Sequence, residues 1–123
     1  MLKKIISLCL IALLAFSAIA VAEEAPTIVT VSEWLETKGE KTGLVIAQVQ
    51  EVINPVLALI ADETGFVNLF GVNVDGEFAN FVDLGIVAGD IIVIWNPRYN
   101  EFEGSIEMAD SVLLRHAHLG GGE

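Results

Sequence analysis

Cysteine occurs once in the 123 residues and proline three times, while lysine and arginine together number six against seventeen aspartates and glutamates. The single Cys9 lies in an apolar N-terminal run, so the rest of the chain has no disulfide available and depends on packing for its stability. The shortage of cations, at a formal net charge of −11, bears on partners. Sequence-blind affinity for a phosphate backbone grows with the number of phosphates neutralised, and beyond Lys4 only Lys38, Lys41, Arg98 and Arg115 carry fixed positive charge. Acidity of this kind is the ordinary condition of a soluble exported protein, and we read no specific cation-binding role into it. Catalytic signatures are missing too. No serine-centred nucleophile motif is present, and neither Asp62 with Glu63 nor Glu101 with Glu103 makes a recognisable acid–base pair, so the chain reads as a non-enzyme.

What is present begins with an address. Lys3 and Lys4, the apolar run from Ile5 to Phe16 and the small residues Ala20-Val21-Ala22 predict a signal peptide over 1–22, cleaved after Ala22. A membrane anchor is the alternative, since Ile5 to Ala22 is just long enough to cross a bilayer. Ser7, Ser17, the alanine-rich end and the acidic Glu23-Glu24 in place of a basic stop signal favour removal. Leu8 is too large to make Cys9 a lipoprotein cysteine. Cleavage leaves 101 residues, enough for one small domain, and the loss of Lys3 and Lys4 takes the charge from −11 to −13. A secreted or periplasmic location and no membrane contact after cleavage are expected.

The mature chain divides into a lead-in and N-terminal helix over 23–40, a barrel over 41–115 and a flexible tail over 116–123. Thr30-Val31-Ser32-Glu33 fits a capping box, with Val29 and Trp34 at the staple positions and Gly39 as the stop. Trp34 belongs to the core or a lid. From Lys41 to Val52 continuous apolarity gives way to alternation, as in a strand buried on both faces at its start and half-exposed later, and Asn54-Pro55 ends it. Val56 to Gly71 reads as a hairpin around Asp62-Glu63-Thr64-Gly65, a type I turn closed by a residue with positive φ. Alternation sets Val67 and Leu69 on one face and Phe66, Asn68 and Phe70 on the other. Phe78, Phe81 and Val82 at i, i+3 and i+4 predict a short helix with Phe78 and Phe81 as core plugs. Ile91 to Trp95 is a fourth strand, and Ile106 to Met108 opens a fifth whose apolar edge continues through Leu114.

Asp62-x-x-Gly65 with Val67 and Leu69, then Leu84-x-x-x-x-Gly89-Asp90-x-Ile92-x-Ile94, then Gly104-x-Ile106-x-Met108 resemble an OB-fold, the five-stranded Greek-key barrel. The likeness runs from Lys41 to Leu114 and is greatest to OB domains of the tRNA-anticodon-binding type. More loosely, the chain is similar to small exported bacterial OB-fold proteins. The fold class expected is all-β: five strands, a short N-terminal helix and a short helix between strands three and four. Strong acidity, and Asn96 where glycine commonly follows strand four, depart from the nucleic-acid-binding members.

The resemblance implies a ligand lying across strands two and three, between the first loop and the fourth-to-fifth-strand loop. Carried onto this chain, that face is Phe66, Asn68 and Phe70, with Trp95, Arg98, Tyr99 and Phe102 as a loop wall; the alternative is that the N-terminal helix or the helix around Phe81 covers these phenylalanines. Each aromatic ring stacked on a base contributes about 1–3 kcal/mol without a positive field. Phe66 and Phe70 stand about 13 Å apart at strand rise and would serve separate units of an oligomer. Arg98 is the local cation, or the partner of Glu101 or Glu103. The expected partner is a single-stranded oligonucleotide; the alternative is a protein or glycan of the cell envelope. No cofactor and no metal are expected, because His116-x-His118 beside Asp110 lacks a third ligand and reads as solvated tail.

Overall fold

The computed structural model describes residues 27–118. The predicted leader over 1–22, the lead-in over 23–26 and the glycine-rich segment over 119–123 lie outside the described residues.

The capping box forms as its residue types require. The Thr30 hydroxyl accepts from the Glu33 amide at 3.1 Å and the Glu33 carboxylate accepts from the Thr30 amide at 3.1 Å, opening helix α1 (Val31–Glu36). Thr37 caps its other end, and Gly39 follows with its amide on the Trp34 carbonyl at 2.8 Å. Val29 and Trp34 are both fully buried, and the Trp34 indole N–H donates to the Pro97 carbonyl at 3.0 Å. Trp34 is therefore core.

Among the described residues, nine strands make one curled half-barrel sheet: β1 (Leu44–Asn54), β2 (Leu57–Asp62), β3 (Gly65–Phe70), β4 (Val72–Val74), β5 (Glu77–Ala79), β6 (Ile91–Trp95), β7 (Arg98–Phe102), β8 (Ser105–Ala109) and β9 (Val112–Ala117). Their order across the sheet is β5-β4-β9-β6-β1-β2-β3-β8-β7. A second short helix, α2 (Phe81–Leu84), precedes β6. The class is all-β, as the sequence predicts, but the strand count exceeds the expected five for identifiable reasons. The segment after Gly71, whose Asn73, Asp75 and Gly76 read in sequence as a turn, pairs as the β4–β5 hairpin, and part of the connection over 96–104 pairs with β8 as β7. The fifth strand is divided at Asp110-Ser111: β8 runs parallel to β3, whereas β9 runs antiparallel to β6.

β1 is buried at its start and increasingly exposed after Val49, where two register shifts against β2 bend it. Val45, Ala47 and Val49 face inward with Ala58, Ile60, Val67, Leu69, Ile92, Ile94 and Met108, and Trp34, Phe81 and Ile86 complete the core. Each buried Val, Leu, Ile or Met side chain among them contributes about 1.5–3 kcal/mol, the stabilisation a chain without disulfides relies on. The hairpin forms between Asp62 and Gly65, but Gly65 does not take a positive φ. Asp62 Oδ1 closes the turn instead by accepting from the Thr64 amide at 2.8 Å and the Gly65 amide at 3.2 Å. Phe78 is likewise not a core plug. It sits on β5 and is exposed, because the helix begins only at Phe81, behind the Asn80 cap.

Candidate functional site

A strand in place of the expected loop decides which residues meet. Along β7 the side chains alternate, so Arg98, Asn100 and Phe102 share one face while Tyr99 and Glu101 take the other. The partner strand β8 presents Glu107 and Ala109 opposite Asn100 and Arg98. These residues face a groove of about 490 Å³. Asn54 and Val56, at the β1–β2 turn, bound it on another side, and Leu57, Phe70 and Phe78 complete its apolar lining. The Phe70 and Phe78 ring centres are 5.4 Å apart at 37°, a tilted pair. Phe78 can reach Phe70 because the intervening contact is made over Gly71, where a Cβ would collide with the Phe78 ring.

Polar groups in the groove are few and engaged. Arg98 Nε donates to Asp110 Oδ2 at 2.6 Å, so its predicted pairing with Glu101 or Glu103 is replaced by Asp110. Asn100 Nδ2 donates to Glu107 Oε1 at 3.2 Å, and Glu107 is buried. The groove thus carries two carboxylates and one guanidinium, with that guanidinium already neutralised.

Of the seven residues expected to form the binding face, the groove brings together Phe70, Arg98 and Phe102. Phe66 (68% exposed) and Phe70 (40% exposed) both turn outward, but Phe66 and Asn68 line a separate cavity of about 450 Å³ with Leu35, Leu59 and Ile106. Tyr99 packs on Trp34 with ring centres 5.4 Å apart and donates its hydroxyl to Glu101 Oε2 at 2.9 Å. Burial, helped by the Glu101 carboxylate, pushes the Tyr99 phenol above its ordinary value. Trp95 is half-exposed beside Leu44 and Val112 and lines neither cavity. Sequence reasoning missed Phe78, Asn100 and Glu107. The alternation within Arg98-Tyr99-Asn100-Glu101-Phe102 was the signal that separates the groove residues from Tyr99.

A second cluster corrects the solvated-tail reading of His116 and His118. β9 extends to Ala117, and both imidazoles meet Asp90: His116 Nε2 lies 2.8 Å from Asp90 Oδ2, and His118 Nδ1 lies 2.8 Å from Asp90 Oδ1. Asp90 is 2% exposed, and its Oδ2 also accepts from the Val87 amide at 3.0 Å. Burial, the largest single influence, pushes the Asp90 carboxyl up; the Val87 amide and the two imidazoles outweigh it and hold the group below its ordinary value. The sequence pairs the histidines with nearby Asp110, but Asp110 bonds Arg98, and the third group comes from the turn before β6.

No protein-family model matches the chain, and no curated protein matches it in sequence.

Proposed function

We propose that the protein is an exported, non-enzymatic binding module of the OB type, and that its groove takes an uncharged oligosaccharide of the cell envelope. In such a barrel β8 and β9 are two halves of one strand bent at Asp110-Ser111. The pairings support it: β3 with β8 in parallel, and β9 with β6 and β6 with β1 in antiparallel, the order in which the strands of an OB barrel join. Export is supported by the leader pattern over 1–22.

One observation carries the ligand class. Three phenylalanines, Phe70, Phe78 and Phe102, surround a floor of amide and carboxylate groups that includes no unpaired cation among its described residues. Ring faces cover the apolar faces of sugar rings, while Asn54, Asn100 and Glu107 offer acceptors and donors to hydroxyls. The groove also lies between the first loop and the fourth-to-fifth-strand connection, where OB modules hold oligosaccharides and oligonucleotides. Glu107 and Asp110 in the lining, on a chain of charge −11, oppose a polyanion.

Isothermal titration of the full chain with chitotetraose, cellotetraose and a short oligothymidylate tests the reading. Sugar binding that is insensitive to salt and lost in Phe70→Ala and Phe102→Ala supports it. Oligothymidylate binding that weakens with salt selects the oligonucleotide alternative, and binding of a sugar unaffected by either variant removes the groove from the account.

A further inference from the structure

From the cluster at the far end of the β6–β9 ladder we infer that Asp90, His116 and His118 form a site for a divalent transition-metal ion, zinc above all. The inference is independent of the groove. His116 lies in β9 and His118 immediately follows its last residue, two positions on, and both rings turn to the Asp90 carboxylate. Their neighbour across the ladder is the start of β6, for Ile92 pairs with His116 and Ile91 with Ala117. Asp90 immediately precedes that start. The carboxylate and the two imidazoles thus converge because two antiparallel segments end together, and one ligand atom from each lies within 4.8 Å of the others.

Three features distinguish this cluster from a surface ion pair. The carboxylate is fixed: its backbone amide donates to the Val87 carbonyl at 3.1 Å, its carbonyl accepts from the Val49 amide at 2.8 Å, and its Oδ2 takes the Val87 amide. Such an orienting bond to a ligand carboxylate is what holds metal sites in geometry. The donor set is two imidazole nitrogens and one carboxylate oxygen, which suits Zn²⁺, Ni²⁺ or Cu²⁺ and does not suit Ca²⁺ or Mg²⁺. Exposure is graded, from buried Asp90 through half-buried His116 to His118 at 59%, so the open side faces solvent and leaves a fourth position for water.

The two nitrogen–oxygen separations of 2.8 Å are hydrogen bonds. Metal–ligand lengths of about 2.0–2.2 Å require each nitrogen to draw back from the carboxylate by about 0.5 Å. The exposed His118 ring, one residue beyond β9, has the freedom to do so. Metal then takes the place that the imidazole protons hold in the hydrogen-bonded cluster.

The test is titration of the full chain, produced without an affinity tag, with Zn²⁺, Co²⁺ and Ca²⁺, read by calorimetry and by the visible absorption of Co²⁺. One Zn²⁺ per chain is expected, with a tetrahedral or five-coordinate Co²⁺ spectrum. His118→Ala and His116→Ala are each expected to weaken Zn²⁺ binding by more than about tenfold. Because Asp90 also anchors a turn, Asp90→Asn is interpreted only alongside His118→Ala, whose exposed position leaves folding intact by circular dichroism. Three results overturn the inference: no Zn²⁺ binding by the wild-type chain, Zn²⁺ affinity unchanged in His118→Ala, or Ca²⁺ bound as tightly as Zn²⁺.

Discussion

Phe70 and Phe78 lie eight positions apart in the chain, yet their ring centres stand 5.4 Å apart because the β4–β5 hairpin folds back over Gly71. Gly71 has φ of 53°, in the left-handed region, and its missing Cβ is the space that the Phe78 ring fills. The groove's aromatic wall therefore depends on one glycine that lies outside its lining.

Gly71→Ala is expected to destabilise the fold by about 2 kcal/mol or more, from left-handed strain and the displaced aromatic pair. Urea denaturation measures it. Phe78→Ala is expected to cost less, about 0.5–1.5 kcal/mol, because that ring is exposed. Equal losses in the two variants would contradict the role given to Gly71.

Asp62 joins the hairpin tip to the helix. While Oδ1 closes the turn, Oδ2 accepts from the Val31 amide at 2.8 Å, and the neighbouring Thr64 hydroxyl accepts from the Ser32 amide at 3.0 Å. Asp62→Ala leaves three backbone amides without this acceptor and is expected to lower stability by about 1–2 kcal/mol, the scale of a lost helix cap. Asp62→Asn, which keeps one acceptor oxygen, is expected to lose less. Thermal unfolding of the two variants measures the loss, and hydrogen exchange at the Val31 amide distinguishes this from a turn-only role, in which that amide would exchange unchanged.

The Lys41 ammonium, 2.7 Å from Glu33 Oε2, and the Thr30 amide hold the Glu33 carboxyl below its ordinary value. A value lower in the folded than in the unfolded chain adds stability above the ordinary glutamate range, and that stability disappears as pH falls through the lowered value. The stability difference between wild type and Glu33→Gln is therefore expected to be small at neutral pH, since the pair is exposed, and to vanish in acid. Denaturation across acidic pH checks it; a difference that grows towards low pH contradicts it.

Much of the fold was legible because local rules and burial agree along the chain. The Thr30/Glu33 box, the inward Val67 and Leu69 and the graded burial of β1 follow from capping and alternation alone. The strand count was not legible. Asn73, Asp75 and Gly76 carry turn chemistry, and nothing local shows that Val72–Val74 will find β9 as a partner. The groove was half legible for the same reason. Phe70, Arg98 and Phe102, named from residue type, line it, whereas Tyr99 takes the other face of β7, because its segment, bounded by Asn96-Pro97 and Gly104, reads as loop although it is paired. Asp90 joining His116 is a contact between residues 26 positions apart, invisible without the β6–β9 register. The two tryptophans are poor fluorescent reporters of the groove: Trp34 is buried against Tyr99 and Trp95 stands outside it. Phe102→Trp supplies a reporter in the groove itself.

The most direct test of the groove as the ligand face is chemical-shift mapping of the isotope-labelled full chain during titration with chitotetraose and cellotetraose. The account predicts that shifts concentrate on Asn54, Phe70, Phe78, Asn100 and Phe102, with the amides of Phe66 and Asn68 unmoved. Shifts centred on Phe66 and Asn68, or none with either sugar, would contradict it.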